Sequence, residues 1–523
     1  MTSEKKEIAE RTAKIKGWFK DPYVIGFIAI IVVAFIIRMY YFFQTLDQAV
    51  WWDEGEYMLR VKHLVLNTPQ SGFFQGRELF TPYFWALIYY LFNSETAIRF
   101  VQVIISTLTV GVTYFLGKEV YDKKIGLLAS AFMGFLWLHI FFTERLLTYL
   151  YAPLFYTLAL GLFWVGYNKN YENKERYLLW FFITIMIGVG IYYSIAFAAI
   201  TVVLYLLFSE RLSFLKNKKL WKYFLISLPL LLLSFVPSYI VQGSIIPRLS
   251  QVGTIEATQT GAGIAGLLTY IKMMPIILLS VYLWIAIISL YLLVKLILFF
   301  DIEIIKAKEM NESRKDLFMF LGALVPFAAY TWLSMTAGGD AGASYDAWIL
   351  PVFPVLFCFM SKAVFEITDW ISGMLNGNMK KVFMILIGII LIWGFYGQIQ
   401  FADSTIKTKE PSYYNLKPAG EWIKENTAKE DKIYSAAIPE LTYYSEREIV
   451  GHDDPVTNGT QSGFLKMLKE NKVKYFVLTS WERSPDWIYS LPDENKLNLT
   501  VVQVYFLDKE MKNPDVIIYR IDW

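Results

Sequence analysis

Apolar runs long enough to cross a bilayer recur along most of the chain, separated by short polar segments. A spanning helix needs about 20 consecutive, mostly apolar residues. Runs of that kind predict spans at 23–43, 96–117, 125–142, 149–167, 178–192, 195–208, 222–241, 265–299, 317–335, 347–370 and 382–400. The stretch from Tyr177 to Phe208 is continuous in hydropathy. It is divided near Tyr192-Tyr193-Ser194, because the charges flanking it require the chain to return. The run at 265–299 reads either as one tilted helix or as a surface helix leading into a span. The first run, Tyr23 to Phe43, follows a polar tail and has no small-residue cleavage site after it, so it is read as a retained span rather than a signal peptide.

The polar segments alternate in charge. Counting Lys and Arg over the segments on either side gives 23 against 5, with the N-terminal tail on the rich side. Basic residues are retained on the cytoplasmic side of short loops. The pattern predicts a cytoplasmic N-terminus and, with about 11 spans, an extracytoplasmic C-terminus. Three outer segments are distinctive. The first, 44–93, contains two amphipathic stretches, Glu54–Leu66 and Pro82–Phe92, that read as interfacial helices. The second, 242–266, is rich in Gly, Thr and Ser and suits a lid.

The third, 401–523, changes composition: its apolar runs shorten and charge returns. Helices are expected at 418–426 and 463–470, and strands at 432–436, 473–479, 499–507 and 515–521. The expected organisation is therefore a transmembrane domain over 1–400 and a small external α/β domain over 401–523, mainly α as a whole.

Composition excludes an ordinary soluble enzyme: 56% of the 523 residues are hydrophobic and 18% aromatic. The net charge of +3 is small. Cys358 stands alone, so the external domain must fold without an internal disulfide. His63, His139 and His452 show no metal-ligand spacing, and no P-loop or dinucleotide fingerprint is present, which leaves nucleotide-dependent cytosolic chemistry unsupported.

Candidate chemistry collects at the outer rim. The first outer segment opens with Trp51-Trp52-Asp53-Glu54-Gly55-Glu56-Tyr57. A hydroxyl attacking a sugar must lose a proton, and a positioned carboxylate such as Asp53 can accept it. Asp53 and Glu56 also fit a D-x-x-E capping box at a helix start. Trp51 and Trp52 suit stacking on a sugar or anchoring in an interfacial belt. Arg38, Arg99, Arg145 and Lys272 lie in or beside spans, and Arg77 and Arg248 in outer loops. Cations in apolar surroundings are costly unless they snorkel or meet an anion, and a lipid phosphate at headgroup depth is such an anion. Asp340 occupies an outer turn, and Asp346 after Tyr345 suits a helix cap.

These residues resemble the GT-C glycosyltransferases of the protein O-mannosyltransferase and aminoarabinose transferase group. The resemblance rests on Asp53-Glu54-x-x-Tyr57 after one span, Pro82 among aromatics, Phe92-x-Ser94-Glu95-x-x-x-Arg99, Thr143-Glu144-Arg145 with Pro153-Leu154-Phe155, and Tyr345 with Leu350-Pro351 and Pro354, in that order. It implies a polyprenyl-phosphate sugar donor (dolichyl or undecaprenyl) in the outer leaflet and an acceptor hydroxyl on glycan, lipid or protein. Asp53 would activate the acceptor, with Glu54 supporting the site. Arg77, Arg99, Arg145, Arg248 and Lys272 would hold the donor phosphate, and Trp52, Tyr57 and Tyr345 would position substrate. Such a transfer would invert the anomeric carbon; it requires no cofactor and leaves a divalent metal open.

Two positions depart from the aminoarabinose transferases. Glu56 stands where they carry Arg, and Phe80-Thr81-Pro82 replaces their Lys before Pro, which argues against lipid A as acceptor. The oligosaccharyltransferase hallmark W-W-D-Y-G is absent from 401–523. The rival reading is a multi-pass lipid or glycan transporter or flippase; the concentration of charge at the outer rim and the absence of a repeat speak against it.

Overall fold

A computed structural model describes residues 20–73, 77–171, 173–245, 264–306, 310–336, 344–451, 459–494, 496–508 and 510–523. The helices of the N-terminal part are α1 (Pro22–Gln44), α2 (Trp52–Leu66), α3 (Phe80–Phe92), α4 (Glu95–Val120), α5 (Lys123–Phe135), α6 (Trp137–Thr143), α7 (Tyr151–Asn168), α8 (Lys174–Ile191), α9 (Phe197–Glu210), α10 (Lys218–Ser227), α11 (Leu232–Gln242), α12 (Thr269–Leu298), α13 (Glu312–Thr336), α14 (Val352–Met374) and α15 (Gly377–Lys409). Among the described residues, eight helical segments are long and apolar enough to cross a membrane, and nine if α5 and α6, bent by 56°, form one broken span. The coarse expectation of a mainly helical, polytopic protein is met. The division at Tyr192 is present too: α8 stops at Ile191 and a short 3-10 turn, Tyr193–Ala196, precedes α9.

The broken helices explain several polar residues inside apolar segments. The break between α5 and α6 frees backbone carbonyls, and the buried Arg38 guanidinium fills it. Arg38 donates to Gly134 O (3.0 Å), Ala34 O (2.9 Å) and Ser106 Oγ (2.6 Å) and meets His139 Nδ1 at 3.0 Å. Arg38 is thus consumed by the helix break and does not offer its charge to a lipid. Helix α12 carries Pro275 and a non-helical Leu279, so the long run at 265–299 is a kinked helix. Its freed carbonyls are taken up by Trp137 Nε1 (to Ile277 O, 2.9 Å) and Gln398 Nε2 (to Leu278 O, 2.9 Å). In a membrane interior such groups must find partners within the protein.

The C-terminal domain comprises α16 (Leu416–Asn426), β1 (Lys432–Ser435), α17 (Ile438–Ser445), β2 (Glu448–Val450), α18 (Gln461–Glu470), β3 (Val473–Thr479), β4 (Leu499–Phe506) and β5 (Pro514–Ile521). The sheet order is β2-β1-β3-β5-β4, parallel among the first three strands and antiparallel for the last two pairings. The helices and strands expected from sequence over this region are present within one or two residues. Helix α17, strand β2 and the short helix Asp486–Tyr489 were not expected, and α17 matters most, because it packs against α2.

Docking covers α2. Residues Glu54 to Lys62 are all buried, so α2 is not an open interfacial helix but is enclosed between the membrane part and α17. A Cβ on Gly55 would lie 3.1 Å from the Pro439 carbonyl carbon and 3.2 Å from Glu440 N, so the two backbones approach as closely as glycine allows. Tyr444 Oη accepts from Val50 N (2.8 Å), Tyr443 donates to Glu95 (2.8 Å), and Lys62 Nζ donates to Tyr443 O (2.8 Å). Helix α3, by contrast, keeps Tyr90, Leu91 and Phe92 largely exposed, as an interfacial helix would.

Candidate active site

The start of α2 sets the geometry. The helix begins at Trp52 with Trp51 as its N-cap, so the acid at the third position is Glu54, whose Oε2 accepts Trp51 N at 3.1 Å. The capping box therefore belongs to Glu54, and the expected D-x-x-E cap from Asp53 does not form. Asp53 instead lies one residue earlier in the turn and turns its carboxylate outward. Its Oδ1 meets Arg77 Nη2 at 2.5 Å and its Oδ2 accepts from Tyr149 OH at 3.3 Å.

The two adjacent acids differ in access. The Asp53 side chain is 32% exposed and that of Glu54 is 1% exposed. Glu54 ion-pairs with Arg145 and accepts Leu146 N at 3.2 Å, which ties α2 to the turn after α6. Burial pushes the Glu54 carboxyl above its ordinary range, against the lowering fields of Arg145 and Arg99. Glu56, one helical turn from Asp53, shares Arg77 (Nε to Oε2, 2.6 Å) and accepts Trp52 Nε1 at 2.9 Å. Trp52 is thereby fixed beside Asp53. The Arg77 side chain is only 12% exposed, yet Asp53, Tyr57 and Glu56 together hold its guanidinium firmly charged against that burial.

The expected phosphate ligands occupy different environments. Arg145 is 1% exposed and stacks on the Trp51 ring at 3.5 Å from its centroid. Burial pulls its guanidinium down to about 10, against Glu54, which raises it. Its Nη1 and Nη2 are buried and have no hydrogen-bond partner among the described residues. Arg99 binds Glu95 (2.7 Å), Glu144 O (3.0 Å) and Gln48 O (3.1 Å), so it ties the loop between α1 and α2 to α4. Lys272 is exposed on α12, and no hydrogen bond or ion pair of the described residues links it to the Asp53 cluster. Arg248 lies outside the described residues, as do Asp340, His452 and most of the proposed lid. Tyr345 falls in the short helix Ser344–Trp348, and its side chain is outside the description. Tyr57 is buried beneath Arg77, 5.1 Å from ring centroid to guanidinium, and its hydroxyl meets Thr148 Oγ1 at 3.0 Å.

Sequence reading missed Tyr149, and it missed the whole contribution of the C-terminal sheet region. Tyr413 lies 6.3 Å from Trp51, stacks on Trp481 at 5.1 Å and donates to Glu482 at 2.5 Å. Glu440, on α17, faces Glu482, Glu56 and Asp53. Only an unexpected helix brings it there. Among the described residues no group of three or more His, Cys, Asp or Glu side chains is arranged to hold a metal ion.

Residues 77–239 match the family described as dolichyl-phosphate-mannose-protein mannosyltransferase. No curated protein matches the chain in sequence. Among solved structures, ArnT from Cupriavidus metallidurans in the apo state is similar at a TM-score of 0.62 and 15% identity, covering 97% of this chain and 98% of that one. ArnT bound to undecaprenyl phosphate gives 0.61 and 14%, covering 95% and 98%. The Archaeoglobus fulgidus oligosaccharyltransferase AglB, in complex with an inhibitory peptide and a dolichol-phosphate, gives 0.59 and 13%, covering 88% and 70%. The chain shares the fold of ArnT, and within that fold residues 77–239 carry the match to the mannosyltransferase family model.

Proposed function

We propose that the protein is a membrane glycosyltransferase that moves a sugar from a polyprenyl-phosphate carrier to an acceptor hydroxyl at the outer face. The observation that carries this reading is the pairing of a partly exposed, oriented carboxylate with a buried, open guanidinium. Asp53 is aligned by Arg77 and Tyr149. On the other side of the same helix start, Arg145 presents two unsatisfied N–H-bearing nitrogens. A buried guanidinium in this state suits a dianionic or monoanionic phosphate oxygen, which it binds in a planar fork. The matched family and the ArnT and AglB complexes, with undecaprenyl phosphate and dolichol-phosphate respectively, support that donor class.

The chemistry is a displacement. The acceptor oxygen bonds to the anomeric carbon as the bond from that carbon to the phosphate oxygen breaks. Asp53 takes the acceptor proton, and the departing phosphate keeps the electron pair, its charge met by Arg145 and by Arg77. Attack opposite the leaving group inverts the anomeric carbon. Trp52, fixed by Glu56, lines the acceptor side of Asp53. Nine crossings become eleven when α8 and α14 also span. The charges of α8 lie in its first turn, and Lys362 of α14 is neutralised by Asp316 at 2.7 Å. The distribution of Lys and Arg among the loops supports a cytoplasmic N-terminus and a sheet domain outside.

Asp53→Asn tests this function. In membranes supplied with polyprenyl-phosphate sugars, the variant should accumulate normally and transfer nothing. Normal turnover would remove Asp53 from the reaction.

A further inference from the structure

Several buried polar atoms face the seam between the first outer loop and the external domain without a partner among the described residues. They are Trp51 Nε1, Arg145 Nη1 and Nη2, and the two carboxyl oxygens of Glu440, which hydrogen-bond to no other residue. Buried polar atoms left in this state are rare in native proteins and mark a place where water or a ligand belongs. These atoms belong to one neighbourhood. Arg145 lies on Trp51, Trp51 faces Tyr413, and Tyr413 stacks on Trp481 and donates to Glu482. Tyr413 also holds a left-handed backbone conformation, φ +63°, in the turn between α15 and α16. That conformation is uncommon for an aromatic residue, and residues so held cluster at functional sites.

Charge divides the seam in two. Arg77 answers Asp53 and Glu56, and Arg145 answers Glu54. Glu440 and Glu482 meet no cation among the described residues. One end therefore offers hydrogen-bond donors to an anion, and the other offers carboxyl groups beside aromatic rings. A sugar phosphate has the complementary layout: an anionic group joined to a ring of hydroxyls with apolar faces.

We infer that Glu440, with Glu482 and Tyr413, forms the sugar-recognising wall of the site and sets which sugar the carrier must bear. Its hydroxyls would bond to the Glu440 and Glu482 carboxyls while the phosphate rests on Arg145. Burial, reinforced by Glu482, keeps Glu440 protonated well above the ordinary carboxylate range, so it can donate to a sugar oxygen as well as accept. This assignment rests on the transferase reading given above.

The test compares wild type, Glu440→Met and Glu440→Gln in transfer from a polyprenyl-phosphate hexose, with sugar-free polyprenyl phosphate as the competing probe. Loss of a buried polar contact should lower kcat/KM of the Met variant about 10- to 100-fold, and the Gln variant should recover part of it. Inhibition by sugar-free polyprenyl phosphate should be the same in all three, because Arg145 is untouched. A Met variant within about twofold of wild type overturns the assignment and marks the seam as filled by water alone. If the Met variant does not accumulate, Glu482→Gln at the half-buried edge decides, and unchanged transfer there overturns the assignment. A wild-type protein that neither transfers from nor binds the lipid phosphates sinks the transferase reading itself, which the Met comparison by itself would not do.

Discussion

The Arg145 guanidinium carbon lies over the Trp51 indole, 3.5 Å from its centroid, while its Nε ion-pairs with Glu54. The guanidinium is held by both contacts, and its two terminal nitrogens are left without a hydrogen-bond partner among the described residues. A planar fork is held by stacking in a way that an ammonium cannot be.

Arg145→Lys should therefore keep a positive charge and still fail. Loss of the fork and of the stack should reduce kcat/KM for the lipid donor about 10- to 100-fold. Initial rates at varied donor concentration measure this, and a Lys variant with wild-type kinetics would show that a point charge suffices.

Glu144 predicts a pH dependence of stability. Burial raises its carboxyl to about 8, against Thr45 and the arginines Arg99, Arg38 and Arg145, from an ordinary value of 4.5. Between those values the folded protein keeps the proton and the unfolded chain releases it. Stability should fall as pH rises from about 4.5 to about 8 and level off above. Glu144→Gln should flatten that part of the profile, as read from thermal midpoints in detergent. A slope unchanged by the substitution would assign the dependence to other groups.

Docking of the C-terminal sheet region should depend on Gly55. A methyl group there would meet the Pro439 and Glu440 backbone at 3.1 and 3.2 Å, where neither atom belongs to a flexible side chain. Gly55→Ala should cost about 1–3 kcal/mol and open the seam. Faster proteolysis between α15 and α16, with the membrane part intact, would register it.

Tyr443 and Glu95 join α17 to the start of α4 at 2.8 Å, and Glu95 in turn holds Arg99. Tyr443→Phe should cost about 0.5–1.5 kcal/mol, and a double-mutant cycle with Glu95→Gln should show coupling. Strict additivity would mean that the hydroxyl works independently of Glu95.

Arg38→Met tests the helix break. Without the guanidinium, Gly134 O loses this partner and His139 Nδ1 keeps only Ser106 Oγ, inside an apolar bundle. A cost of about 3–5 kcal/mol and poor accumulation are expected, as for a buried charge network left half-satisfied. A variant that accumulates and melts like wild type would show the break to be self-sufficient.

Hydropathy along the chain determined the mainly helical, multi-pass character by itself. A bilayer rewards uninterrupted apolar length, so the long apolar helices, the turn at Tyr192 and the change of composition after residue 400 are written locally. Strands β3 to β5 were legible for the same reason, since alternation and short apolar runs are local signals. Asp53 stood out because two adjacent acids at a membrane rim are costly without a use.

The tertiary structure alone decided which partner each charge found. Arg38, Arg99 and Arg145 look alike in sequence, each a cation near an outer helix end. Packing commits Arg38 to a helix break and Arg99 to Glu95 and two carbonyls, and leaves Arg145 open over Trp51. Likewise Glu440 sits hundreds of residues from Asp53, on a helix too short to read from periodicity. It reaches the site only because Gly55 lets α17 press against α2. Contacts between distant segments depend on shape and on the sum of many weak interactions, and no local pattern of residues encodes them.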